Sequence, residues 1–190
     1  MKTRQFLYAA MVAVCTVAMT TLVGCKENNN PDDPKTQTDP TPDTTPVAAM
    51  MEVNVTFAEQ TLEIFAVSFD YYDENGEKKN EAVTQTAWVK KIQSAGLPAK
   101  LGFHMNLAVK EGVDLTQYQQ FHVEYSFGYE SVLVNAAGVG IGKTHGTAGS
   151  ASQGMAISKI DAYLNAYANH PFEVLHSYAA DGTWQYIDWE

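Results

Sequence analysis

The sequence predicts a mainly β fold, an antiparallel β-sandwich of about eight strands with one late helix. Three observations carry this. Leu101, Phe103, Met105, Leu107 and Val109 alternate with Lys100, Gly102, His104, Asn106, Ala108 and Lys110, a period of two that turns one face of a strand to a core. Phe121, Val123, Tyr125, Phe127 and Tyr129 alternate in the same way with His122, Glu124, Ser126, Gly128 and Glu130. Helical spacing, by contrast, stands out once, in Ile160, Tyr163, Leu164 and Tyr167, with Ser158 as a candidate cap and Pro171 beyond the end.

The remaining elements follow in order. Val53 to Phe57 reads as a strand, and Thr61 to Tyr72 as a longer one buried on both faces at its start. Asp73-Glu74-Asn75-Gly76 has the Asn-Gly signature of a hairpin turn, returning through Val83, Ala87, Trp88 and Val89. Ser131 to Asn135 is a further strand. Phe172 to Tyr178 and Trp184 to Trp189 flank Ala180-Asp181-Gly182-Thr183 as a terminal hairpin. Short connections favour antiparallel pairing. A closed, lipocalin-like barrel is the alternative, because both architectures use short alternating strands.

Ahead of this domain the composition changes twice. Lys2 and Arg4 precede an uncharged, mostly apolar run from Phe6 to Leu22, the order of a secretory signal. The run closes as Leu22-Val23-Gly24-Cys25, which resembles a bacterial lipobox. That resemblance implies cleavage before Cys25 and lipidation of its thiol, with residues 1–24 a lipoprotein signal peptide. Residues 25–50 are rich in Pro, Asp, Asn and Thr, cannot bury enough surface to offset their ordering entropy, and read as a disordered tether. Residues 51–190 remain as a single β-rich domain.

The layout of lipobox, acidic tether and compact β domain resembles the small lipoproteins of Bacteroidetes-type bacteria. The resemblance implies an outer-membrane lipid anchor (palmitate among the acyl chains), on the periplasmic or the cell-surface face. Acids after Lys26-Glu27, beyond three asparagines, resemble an export tag and favour the surface. With Cys15 lost in the signal and Cys25 acylated, the domain has neither a disulfide nor a thiol nucleophile. The 12 basic residues lose Lys2 and Arg4, leaving 10 against 22 acidic ones, a formal charge of −12. That argues against nucleic acid as a partner and leaves the membrane, a glycan, a peptide or a protein.

Several motifs invite chemistry. Ala137-Gly138-Val139-Gly140-Ile141-Gly142-Lys143-Thr144 fits a relaxed phosphate loop, but such a loop needs a helix to start at Lys143-Thr144, and the glycine- and serine-rich continuation is poor helix. A long glycine-rich loop from Gly138 to Gly154 is the better reading, with Gly140, Gly142 and His145 as candidate ligand contacts. Asp73 to Glu77 has too few spaced oxygens for a calcium loop. His122 and Glu124 share one side of a strand and His104 lies on the polar side of another. If those strands are neighbours, the three could ligate a metal. No nucleophile–base signature marks a catalytic set, so an enzyme is not expected, nor any cofactor. Rings at strand positions belong mostly to the core. Trp184 and Tyr186, on one face of the terminal hairpin, are candidates for an exposed platform. The expected function is therefore a membrane-anchored, non-enzymatic binding or accessory domain. A barrel carrying a small apolar ligand is the alternative and a hydrolase a distant third.

Overall fold

The computed structural model describes residues 43–189. The signal, Cys25 and most of the tether lie outside them. Nine strands are present among the described residues. They are β1 (Ala48–Phe57), β2 (Phe65–Tyr72), β3 (Lys78–Ala82), β4 (Ala87–Gln93), β5 (Ala99–Val109), β6 (Gln120–Val134), β7 (Gly140–Ala156), β8 (Glu173–Tyr178) and β9 (Trp184–Tyr186). They form two antiparallel sheets, ordered β4-β1-β6-β7 and β3-β2-β5-β8-β9. This is the sandwich. The first strand begins at Ala48, ahead of the expected domain start at Met51.

The period-two pattern builds the core. Met51, Val53, Val55 and Phe57 of β1 face Phe65, Val67 and Phe69 of β2 and Leu101, Phe103 and Met105 of β5 across the space between the sheets. Trp88 of β4 stacks on Phe69 at 4.0 Å between centroids. Both sheets keep open edges, so the barrel is overturned. Phe103, Met105, Phe121 and Val123, which would have lined its cavity, are packed shut at 1% exposure or less.

Four expected elements differ from the structure for identifiable reasons. Ser131 to Val134 is the end of β6 and not a separate strand, since no turn residue divides it from Tyr129. Glu59–Ile64 is a short helix, α1, and not the start of a strand. It carries the chain from one sheet to the other, and its buried Thr61 donates from Oγ1 to the Glu124 carbonyl (3.2 Å) and accepts from the Glu124 amide (2.9 Å). The hairpin return divides in two. β3 pairs with β2, while Ala87 to Gln93 crosses over to pair with β1. Finally, the expected glycine-rich loop is β7, a strand of 17 residues paired along β6.

A tight turn joins β6 to β7. Asn135 Oδ1 accepts from the amides of Ala137 and Val139 (both 3.0 Å), and Gly138 takes a positive φ of 73°. Residues Lys143-Thr144 therefore sit in a strand, which removes the helix that phosphate binding requires. The late helix is present as a 3₁₀ turn (Ile157–Lys159) leading into α2 (Ile160–Asn169). Ser158 falls inside that turn and makes no capping bond. Instead the Tyr167 hydroxyl anchors α2, donating to the Met105 carbonyl (3.0 Å) and accepting from the Phe172 amide (3.2 Å). Among the described residues no helix is long and apolar enough to cross a membrane.

Candidate functional site

The two sheets end in β7 and β9, and their side chains meet where those strands approach. The register of β9 sets Trp184 opposite Tyr178 and Tyr186 opposite His176, so both rings project on the inward side of the sheet. The register of β7 sets His145 opposite Ser131, on the inward side of the other sheet. The His145 ring lies against Trp184 with centroids 3.6 Å apart, and Tyr186 meets Trp184 edge-on at 5.0 Å. Three of the sequence candidates thus come together.

A bulge positions His145. β6 and β7 pair as Ser131↔His145 and next as Leu133↔Ile141, so the residues around Gly142 are extra on the β7 side. Gly142 takes a φ of 74°, a conformation open to glycine and rare for other residues. Bulges of this kind re-aim the side chains beside them. Gly140 and Gly142 shape this backbone without joining the rings. Gly140 packs near Val132, and Gly142 has open space where a Cβ would stand.

Beneath the rings runs a buried polar chain. The Tyr178 hydroxyl donates to Ser131 Oγ at 2.6 Å, and Ser131 Oγ lies 2.5 Å from His176 Nδ1 and 3.4 Å from the His145 carbonyl. Either Ser131 donates to Nδ1, or Nδ1–H donates to Ser131 Oγ and the hydroxyl turns to the His145 carbonyl; in both arrangements the other ring nitrogen, Nε2, is left to find its own partner. That nitrogen is buried and has no hydrogen-bond partner. A buried polar group left unpaired, donor or acceptor, costs on the order of 1–3 kcal/mol. Tyr186 stands edge-to-face against this imidazole at 4.6 Å and is itself 57% exposed.

The cluster carries no ionised group at neutral pH. Burial, with the neighbouring His145 adding to it, pushes the His176 pKa down to about 4. Burial, then Lys143, lowers His145 as well. Burial raises the Tyr129 hydroxyl, helped by its bond to Tyr186, and burial raises Tyr178. Ser131 beside His176 superficially suggests a nucleophile and its base. Ser131 is fully buried, however, and the far imidazole nitrogen lacks the carboxylate that would orient it. The chain of hydroxyls fixes the imidazole in the core.

The proposed metal set does not assemble. His104 lies on the outer face of the β5 sheet, its Nδ1 2.7 Å from Glu173 Oε2 and its ring stacked on Trp189 at 5.7 Å. His122 and Glu124 lie on the outer face of the other sheet, His122 over Gly154 and Glu124 accepting from Gln60 (3.4 Å). Two packed sheets are ~10 Å apart and these side chains point away from each other, beyond the reach of bonds near 2 Å. Among the described residues no group of three or more His, Cys, Asp or Glu could hold a metal ion. At the first hairpin, Asp73 Oδ1 is spent on the amides of Asn75 and Glu77 (both 2.9 Å), as a turn requires.

Ser131, His176, Tyr178 and Tyr129 were not among the sequence candidates. A signal for His176 exists, because Val174, His176 and Tyr178 share a period of two that places an imidazole on an apolar face. Its partner Ser131 is legible only once the two sheets are stacked. Comparison of the chain with protein-family models, with curated proteins and with solved structures finds no match.

Proposed function

We propose that this chain is a lipid-anchored, non-enzymatic binding module of a bacterial outer membrane, and that the Trp184–Tyr186–His145 cluster grips a neutral saccharide. The observation that carries the binding half is a group of rings at the sandwich rim with no ionised side chain of its own. Tyr186 offers an exposed ring to the apolar face of a sugar, the half-buried Trp184 supports it from beside His145, and the polar tips of Tyr186 and His145 suit sugar hydroxyls. The patch is a few rings wide, whereas a stable protein interface buries ~800 Å² on each partner. A small ligand fits its size better.

The anchoring half rests on Leu22-Val23-Gly24-Cys25 and on the polar spacer that follows. Several acyl chains, at about 0.8 kcal/mol per buried CH₂, make a durable anchor. The tether then holds an acidic body at the bilayer, on the surface face under this reading. Mass spectrometry of the native chain tests the anchor. The expected result is a mature amino terminus at Cys25 carrying thioether-linked and amide-linked acyl groups, and an intact leader or a free Cys25 thiol refutes it.

A glycan array tests the ligand class. Binding to neutral oligosaccharides, weakened at least about tenfold (~1.4 kcal/mol) in Trp184→Ala and Tyr186→Ala, is expected. Silence across the array refutes the saccharide. Capture of an extended peptide by the same two residues replaces it with a peptide.

A further inference from the structure

A sheet edge exposes unpaired amide and carbonyl groups and invites a further strand, so natural proteins shorten or charge their edges. Three of the four edges here follow that rule. β9 has three residues, β3 is the five-residue segment KKNEA, and β4 carries Lys90 and Lys91 within seven residues. β7 does not. It runs for 17 residues, 13 of them exposed, with Lys143 as its one charged side chain and no proline. It pairs with β6 along one side and, among the described residues, with no strand along the other. At ~3.3 Å per residue the open edge is ~56 Å long.

We propose that β7 is the interface through which two copies of this chain form an antiparallel dimer, joining two four-stranded sheets into one of eight. The strand is its own complement. With a two-fold axis at Ala148, Lys143 faces Gln153 of the second copy, Thr144 faces Ser152, His145 faces Ala151 and Thr147 faces Gly149. No charge meets its like, no two bulky side chains collide, and each residue keeps to its own face of the joined sheet. Charge favours this occupant. The chain as a whole is strongly acidic, and β7 is a long stretch free of acid, so no carboxylate of one β7 meets another across the joined edge. An isologous contact also closes after two subunits. His145 belongs both to this edge and to the Trp184 cluster, but the dimer is argued from the backbone edge and is read by oligomeric state, so it stands or falls apart from saccharide binding.

Sedimentation equilibrium of the full chain in density-matched detergent tests it, together with Ala148→Lys/Ser150→Lys, which sets like charges across the axis on exposed positions. The wild type is expected to dimerise reversibly. The double variant should dimerise about tenfold more weakly or worse, while keeping the wild-type thermal midpoint at concentrations low enough that both proteins are monomeric. A wild type that stays monomeric at every concentration, or a dimer indifferent to the two lysines, overturns the proposal. A second readout covers the register. With Cys15 and Cys25 replaced by Ser, Ala148→Cys should cross-link to its own copy under mild oxidation, while Val89→Cys on the opposite edge of the same sheet should not. Equal cross-linking at both positions counts against the proposal.

Discussion

His176 concentrates the site's physical chemistry in one side chain. It is fully buried, bonded through Nδ1 to Ser131 and unpaired at Nε2, and its pKa is held down to about 4. The unfolded chain titrates this group near the ordinary 6.5, so between pH 6.5 and about 4 the unfolded state binds a proton that the folded state refuses. Stability contributed by the neutral imidazole is complete above pH 6.5 and is lost as pH falls to about 4, by up to about 3 kcal/mol. Urea titrations across that range should show a slope in the wild type that His176→Leu flattens. Equal slopes in both would assign the buried imidazole no such role. Gly102 makes a second residue-scale prediction. A Cβ there would stand 2.2 Å from the Val174 carbonyl oxygen and 2.8 Å from Leu175 Cα, both backbone atoms that cannot step aside. Gly102→Ala should therefore cost about 1–3 kcal/mol or more, read as a lower urea midpoint. Neither residue announces this in the sequence. A histidine within an apolar alternation hints at burial, but the close approach at Gly102 depends on how β8 settles against β5.

At the scale of elements, hydrophobic pattern decides how much is readable in advance. β5 and β6 are visible because each has one face in the core and one in water, and Asn75-Gly76 marks its turn through the φ of 75° that glycine accepts. β7 is invisible for the converse reason. An edge strand exposed along most of its length needs no apolar alternation, and its run of Gly, Ser, Thr and Ala looks like loop. α1 is hidden because its six residues are too few for helical periodicity to show against the strand that follows. The Trp88–Phe69 stack is the joint between β4 and β2 in opposite sheets, and Trp88→Ala should lower unfolding free energy by about 3–5 kcal/mol. Elsewhere the pairing is poorly matched. Glu52 and Glu130 face each other across β1 and β6, with Lys91 Nζ 3.6 Å from Glu52 alone. Glu130→Gln should stabilise the fold by a few tenths to about 1 kcal/mol, and a lower thermal midpoint would contradict that assignment.

For the whole molecule, the candidate site arises from topology more than from any motif. The sheets terminate in β7 and β9, and only that arrangement brings His145 to Trp184 across a separation of 39 residues. The sequence singled out His145, Trp184 and Tyr186 separately. It also grouped His104 with His122 and Glu124, which the stacking of the sheets drives to opposite outer faces, because a period of two fixes the face of a side chain within its own sheet and says nothing about which sheet. The three tryptophans now report on three places: Trp88 in the core, Trp189 against His104 and Tyr72 on the outer face, and Trp184 at the rim. NMR spectra of the indole N–H groups during titration with a neutral oligosaccharide read all three at once. Binding at the rim predicts that the Trp184 signal shifts with saturation while Trp88 and Trp189 stay in place, and that Tyr186→Ala raises the oligosaccharide concentration needed at least about tenfold. A saturable shift at Trp189 with Trp184 unmoved would contradict it.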